Sequence, residues 1–453
     1  MKMSFSKSPY CGIVSAKKIW NGGQQLNSFT ELIMPNVVLT CLQTDKFKTN
    51  CLSVNLLTPL NRENAAKNAL FPAVLCRGTA TLPDMAAISS KLDSLYGARI
   101  KPLIRKKGEI QVVSLYADFA DDAFIPEKTD ILEQVTGLLG EMLLMPKTHG
   151  GLLMRDYVES EKEKLLEQIR GRINDKRAYS MQRLFENMCA MEDYSVDKLG
   201  NEQEAESITA NELTRHYHET LASAPIEIFY CGSADSSRVK MAVKTALASL
   251  PRSEEEPDLG TDIRMNSLEE KPRYFEDTLQ VMQGKLAIGF RLGDCMEEPN
   301  AAAIKVFNAV YGGCATSKLF MNVREKLSLC YFASSFADLH KGIMAVSSGI
   351  EFDKYDAALS EILSQLDAIK RGEVSDYDLS AAKSSVASDY RAIEDSPLGL
   401  EDFYLNQALI GPDCSPSELA ALADVITVKE VVEIAKGVEC DAIYFLRGEK
   451  EEA

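Results

Sequence analysis

Residues 307–335 read FNAVYGGCATSKLFMNVREKLSLCYFASS, the densest set of local signals in the chain. Gly312-Gly313 predicts a tight turn, since glycine accepts backbone angles closed to other residues. Ser317 is placed to cap the helix that follows, its hydroxyl accepting a first-turn N–H. Leu319, Val323 and Leu327 then recur at helical spacing. Arg324 falls late in that short helix, and Tyr331 falls at the start of the next strand. Residue chemistry leaves two readings of this pair. Arg324 is a solvated helix charge beside Glu325 and Lys326 with Tyr331 covering a core, or the two carry a function.

Outward from this run, strand-like segments lie at Gly284–Leu292 and Ile343–Phe352, with a late strand at Ala442–Leu446. The same order precedes it: Val37–Gln43 and Leu52–Leu57, a helix, Gln111–Phe119, long helical stretches, then Ile226–Cys231. Between the two sets, residues 250–275 combine Pro251, Pro257 and Pro272 with a dense run of charge, the composition of a linker. The chain therefore divides into 1–249, a linker at 250–275, and 276–453. Phe71-Pro-Ala-Val74 is echoed by Phe307-Asn-Ala-Val310, and Leu95-Tyr96-Gly-Ala98 by Leu329-Cys-Tyr331-Phe-Ala333, as an internal duplication requires. Strands and helices come in blocks, which predicts α+β halves, each a mostly antiparallel sheet with helices on one face. Residues 151–190 hold no proline and read as one long helix or two stacked ones, with Glu159/Lys162, Glu161/Lys164 and Glu167/Arg170 at i,i+3.

A length of 453 residues exceeds what one core supports, so at least two are expected. The net charge of −17, with Lys and Arg scattered among acids, argues against nucleic acid as a partner and favours basic peptides if charge steers anything. No apolar run suits a signal peptide or a membrane span, which predicts a cytoplasmic chain. The eleven cysteines show no CxxC or Cys/His cluster, the pattern of reduced, mostly buried thiols. The four histidines form no chelating pair: His216 and His218 are two apart on a helix, and His149 and His340 are isolated. No GxSxG, GxGxxG or Walker pattern is present.

The run GG-x3-SKLF-x2-VREK-x-SL-x-Y resembles the second-half motif of the insulinase/pitrilysin metallopeptidases, family M-sixteen, the inverzincins. The resemblance extends to Arg77-Gly78-Thr79 with Pro83-Asp84, to Leu199-Gly200 with Ile208-Thr209, to Tyr230-Cys-Gly232 and to Gly349-Ile350-Glu351, and so covers nearly the whole chain. It implies two homologous α+β halves arranged as a clam-shell. It also implies a branch without the zinc-binding HxxEH. In active members HFLEHMLFKGT supplies two His ligands and a general base. The matching stretch here, residues 69–79, reads ALFPAVLCRGT, so the ligand positions hold Ala69 and Ala73 and the base position holds Pro72. The third ligand position falls at Gln168 if Glu161 opens the E-x6-E pattern, or at Glu167 with a one-residue slip. What matches in type and spacing is the second-half Arg/Tyr pair, Arg324 and Tyr331, which in the family binds the substrate backbone and steadies the oxyanion.

The resemblance thus implies a chain with no cofactor of its own, zinc being expected only in an HxxEH-bearing partner subunit whose site this chain completes around a peptide substrate. A stand-alone peptide-binding pseudoenzyme, homodimeric or monomeric, and a purely architectural subunit are the alternatives.

Overall fold

The computed structural model describes residues 2–4, 15–21, 24–126, 129–253, 257–297, 300–410 and 414–449. Cys11 lies outside them; the other ten cysteines form no disulfide.

Two sheets organise the chain, and their connectivity repeats. In the first, the order is Ser15–Asn21, Gln24–Met34, Val37–Gln43, Ile226–Gly232, Thr49–Pro59, Ile110–Ala120, Arg99–Lys107. In the second it is Arg273–Leu279, Glu439–Gly448, Gly284–Arg291, Ile343–Ile350, Cys330–Asp338. From Val37–Gln43 onward the two orders are the same. Val37–Gln43 runs parallel to Ile226–Gly232, as Arg273–Leu279 does to Glu439–Gly448, and the remaining pairs of both sheets are antiparallel. The chain is α+β with two homologous halves.

The central strands are buried along nearly their whole length, as in Thr49–Pro59 and Ile343–Ile350, because both faces of each sheet are covered. One face carries helices of its own half. The other is covered by a helix from the opposite half. Residues 151–190 form two helices, Arg155–Gly171 and Lys176–Met188, separated by a short 3-10 turn. The second of these crosses over: Leu184 and Met188 pack on Ala287, Ala345, Ala442, Tyr444 and Leu446 of the second sheet. Gly289 permits the approach, since a Cβ there would stand 2.4 Å from the Met188 sulfur. Reciprocally, Pro397–Ile410 places Leu400, Leu405 and Leu409 against Leu42, Cys51 and Phe229 and against Leu57, Ile110 and Val112 of the first sheet.

Charged pairs are buried at both crossings. Glu401 is fully buried and takes Arg105 at 2.5 Å, with Ser53 and Asn55 donating to its other oxygen. Arg291, fully buried, bridges Glu192 at 2.7 Å and Asp441 at 2.8 Å. Of the helix pairs expected from spacing, Glu159/Lys162 and Glu161/Lys164 form, whereas Arg170 turns to Glu202 and Glu206. Within 250–275 the chain is partly ordered into the fold: Gly260–Asp262 is a strand and Ile263 is buried in the second core. No helix among the described residues is long and apolar enough to cross a membrane.

Candidate functional site

Ala69, Pro72 and Ala73 lie on the helix Ala65–Leu75, which packs against Arg155–Gly171. Pro72 has no N–H for the Asn68 carbonyl, so the helix is held by packing rather than by an unbroken ladder. Ala69 is buried and Ala73 half-buried. Gln168 and Glu167 on the neighbouring helix are both exposed, while Glu161, about two turns earlier on the same helix, is buried and takes Arg77 at 3.1 Å and Lys164 at 2.7 Å. The one sulfur nearby in sequence, Cys76, is no substitute donor: burial, and then Glu161, push its thiol up to about 12. Among the described residues no group of three His, Cys, Asp or Glu is arranged to hold a metal ion. Methyl groups and a proline offer zinc no lone pair, so the Ala69/Pro72/Ala73 constellation does not fit that ion.

The space beside this helix is filled by a closed polar network. Asn68 Nδ2 donates to Gln111 Oε1 at 2.8 Å and Thr58 Oγ1 at 3.1 Å. Its oxygen is therefore the acceptor facing His216 Nε2 at 2.7 Å, which makes that nitrogen the protonated one. Burial, reinforced by Lys67 and Arg215, pushes His216 down to about 4. It is a neutral, satisfied core histidine. His218 is exposed beside Tyr217, His340 bonds Asn406 at 3.0 Å, and His149 is exposed.

Arg324 and Tyr331 stand on the second half, and no described bond joins them to Ala69, Pro72 or Ala73. Their setting differs from the sequence expectation in three ways. Gly312-Gly313 is no tight turn but the end of a π-helix, Ala309–Gly313, that continues Ala301–Asn308. Glycine is needed at 312 for closeness: a Cβ would come within 2.7 Å of Leu319 and of the Ser335 hydroxyl, and within 2.8 Å of the Ser335 backbone N. The next helix, Leu319–Lys326, is also π-wound, with Leu327 N–H reaching back five residues to Asn322 at 3.1 Å. Leu319 and Val323 are buried, but Leu327 is exposed because the chain has already left the helix for Ser328, at φ +50°. Ser317 does accept from a first-turn amide, that of Phe320, at 3.3 Å.

Tyr331 is the unpaired residue of a β-bulge between Cys330 and Phe332, on the edge strand of the sheet. A bulge re-aims a side chain away from the pleat, and Tyr331 is 60% exposed, its hydroxyl touching Glu351 at 3.3 Å. The Arg324 guanidinium stacks on Phe320 at 4.6 Å and pairs only loosely with Glu325, at 3.5 Å. A permanent cation and a phenol hydroxyl, both solvent-facing, flank one helix-to-strand connection. Tyr331 does not cover the core, which corrects the reading that placed it there.

Two α+β halves with the same strand order, joined by reciprocal crossing helices, define the architecture. Residues 207–386 match the model of the Peptidase M16 inactive domain. The chain is 32% identical over 409 residues to the probable inactive metalloprotease YmfF of Bacillus subtilis, covering 90% of this chain and 95% of that one. It belongs to the M16 peptidase family. A conserved protein from Enterococcus faecalis superposes with a TM-score of 0.85 at 26% identity, over 94% of this chain and all of the other. The peptidase M16 inactive domain from Pseudomonas fluorescens shares the fold, with a TM-score of 0.75 at 17% identity over 94% and 99%.

Proposed function

We propose that this chain is the zinc-free subunit of a cytoplasmic heterodimeric peptidase, paired with a homologous subunit that carries HxxEH. The observation that carries the reading is an asymmetry. The helix that would hold metal offers Ala69, Pro72 and Ala73, while Arg324 and Tyr331 remain solvent-facing and unburdened by strong partners. A side-chain cation and a phenol donor suit a substrate carbonyl that becomes an oxyanion elsewhere, on zinc held by the other chain. This chain then holds no cofactor, and its ligand is a peptide.

Co-expression with an HxxEH-bearing M16 subunit tests the pairing. A stable one-to-one complex with one zinc per pair is expected, and separate elution of the two chains at micromolar concentration contradicts it. The second reading, a stand-alone peptide-binding protein that is monomeric or homodimeric, draws on the open edge strand Cys330–Asp338. Peptide binding by the isolated chain, with no hetero-complex, would favour it.

A further inference from the structure

Because the strand order repeats, each sheet ends in an equivalent edge strand, Arg99–Lys107 in the first and Cys330–Asp338 in the second. The two edges are finished differently. Arg99–Lys107 carries Pro102 and five cationic side chains, devices that discourage another strand from pairing. On its crossing-helix side, Arg105 and Lys107 are neutralised by Glu401 and Asp402. Cys330–Asp338 contains no proline, lysine or arginine. Its other face is covered by helices of its own half, with Asn308 Nδ2 donating to the Ser335 carbonyl at 3.4 Å. The open approach is from the side of the crossing helix Lys176–Met188.

On that side Lys285, Gly349 and Phe332 stand in one row across three strands. Gly349 leaves the space that the Phe332 ring occupies: a Cβ there would lie 2.6 Å from the ring. Arg177, from the crossing helix, sits 4.5 Å from the centre of that ring and Lys285 Nζ sits 5.8 Å from it. Arg177 also donates to Ser334 Oγ at 2.7 Å. Among the described residues neither cation has a carboxylate within ion-pair distance. Asp175, the acid beside them, is engaged as the helix cap, accepting from the Arg177 and Ala178 amides at 3.0 Å. Burial, and then the charge of Arg177, push Lys285 below the ordinary lysine range, against the opposing pull of Asp175. Two cations share one aromatic ring with no carboxylate in direct ion-pair contact among the described residues, and Asp175 acts on Lys285 only from longer range. Two residues beyond Ser334, on the same face, Phe336 is 42% exposed beside Phe185.

We propose that this row is a docking site for an extended acidic peptide that lies along Cys330–Asp338, sets a side-chain carboxylate between Arg177 and Lys285, and rests an apolar side chain on Phe336. The period of two along a strand brings residues i and i+2 of such a peptide to one face, matching the Ser334-to-Phe336 spacing. Main-chain pairing to an open edge supplies affinity, and the cations supply the choice of side chain. The preference for an acid is local and opposes the overall charge of −17. The site needs no second subunit and engages the side chain of neither Arg324 nor Tyr331, so it is separable from the proposed pairing.

The test uses the full chain and heptapeptides of alternating threonine and valine, acetylated and amidated, with a central glutamate, glutamine or lysine. Fluorescence anisotropy should show the glutamate peptide binding at least tenfold tighter than the glutamine peptide, and the lysine peptide weakest. Arg177→Gln should abolish the difference and Arg177→Glu should invert it, with thermal unfolding unchanged because Arg177 is exposed. Hydrogen exchange should slow at residues 332–338 on binding. Equal affinity for the glutamate and glutamine peptides, an undiminished preference in Arg177→Gln, or binding without protection of that strand would overturn the proposal.

Discussion

Lys341 Nζ lies 2.5 Å from Glu109 Oε1, and the two belong to equivalent hairpin turns of the two halves. Glu109 sits between Arg99–Lys107 and Ile110–Ala120, and Lys341 between Cys330–Asp338 and Ile343–Ile350, so the repeated hairpins meet tip to tip. Lys341 is fully buried and also reaches Glu192 at 2.7 Å, which in turn takes Arg291. Gly108, at φ +58°, makes the meeting possible, since a Cβ would stand 2.9 Å from the His340 carbonyl.

Removing one partner of this network leaves a buried charge uncompensated. Lys341→Met should cost about 3–5 kcal/mol, read from the urea midpoint. Adding Glu109→Gln should recover part of that loss, since it removes one of the stranded carboxylates. A single-mutant loss below about 1 kcal/mol would show that the hairpin contact does not hold the halves.

His216 gives a pH dependence with a definite sign. Its folded value of about 4 lies below the ordinary 6.5, so the unfolded chain binds a proton first as pH falls. Stability from this group is therefore unchanged above 6.5, declines between 6.5 and 4, and is level below 4; the full swing is on the order of 3 kcal/mol. An imidazole NMR titration should place the midpoint near 4, and a midpoint at 6 or above contradicts the closed Asn68–His216 network.

Pro72→Ala restores an amide that can donate to the Asn68 carbonyl inside Ala65–Leu75, and should raise stability by about 1–3 kcal/mol. A fall in the unfolding midpoint would show instead that the proline ring fills space that nothing else can.

Gly312→Ala should destabilise by about 1–3 kcal/mol, because the added methyl meets the Ser335 backbone as well as the movable Leu319 side chain. An unchanged midpoint would mean that the Ala309–Gly313 segment shifts freely away from the edge strand.

The strands were readable because runs such as Val37–Gln43 and Ile226–Gly232 are β-branched, apolar and bounded by turn residues. That Ala69, Pro72 and Ala73 lie on one helix was readable from the sequence, and the structure places all three on Ala65–Leu75. The reciprocal crossing of Lys176–Met188 and Pro397–Ile410 was not, because an amphipathic stripe records that a face is buried and not which sheet buries it. The π-winding after Ser317 was equally hidden: Leu319, Val323 and Leu327 satisfy an α-helical template, and only packing against the edge strand decides otherwise. Arg177 and Lys285 lie 108 residues apart, each unremarkable alone, and only the crossing helix makes them neighbours. Lys341 and Glu109 are single charges in turns, where solvent exposure is the ordinary expectation.

The most direct test of the paired-subunit reading is the turnover of a peptide substrate by the complex of this chain with its HxxEH-bearing partner, compared between the native chain and Arg324→Ala or Tyr331→Phe. Each substitution is expected to leave the complex and its zinc intact while lowering the rate by about 10²–10³. Full turnover by the double variant, or by the partner alone, would contradict the claim that this chain completes the site.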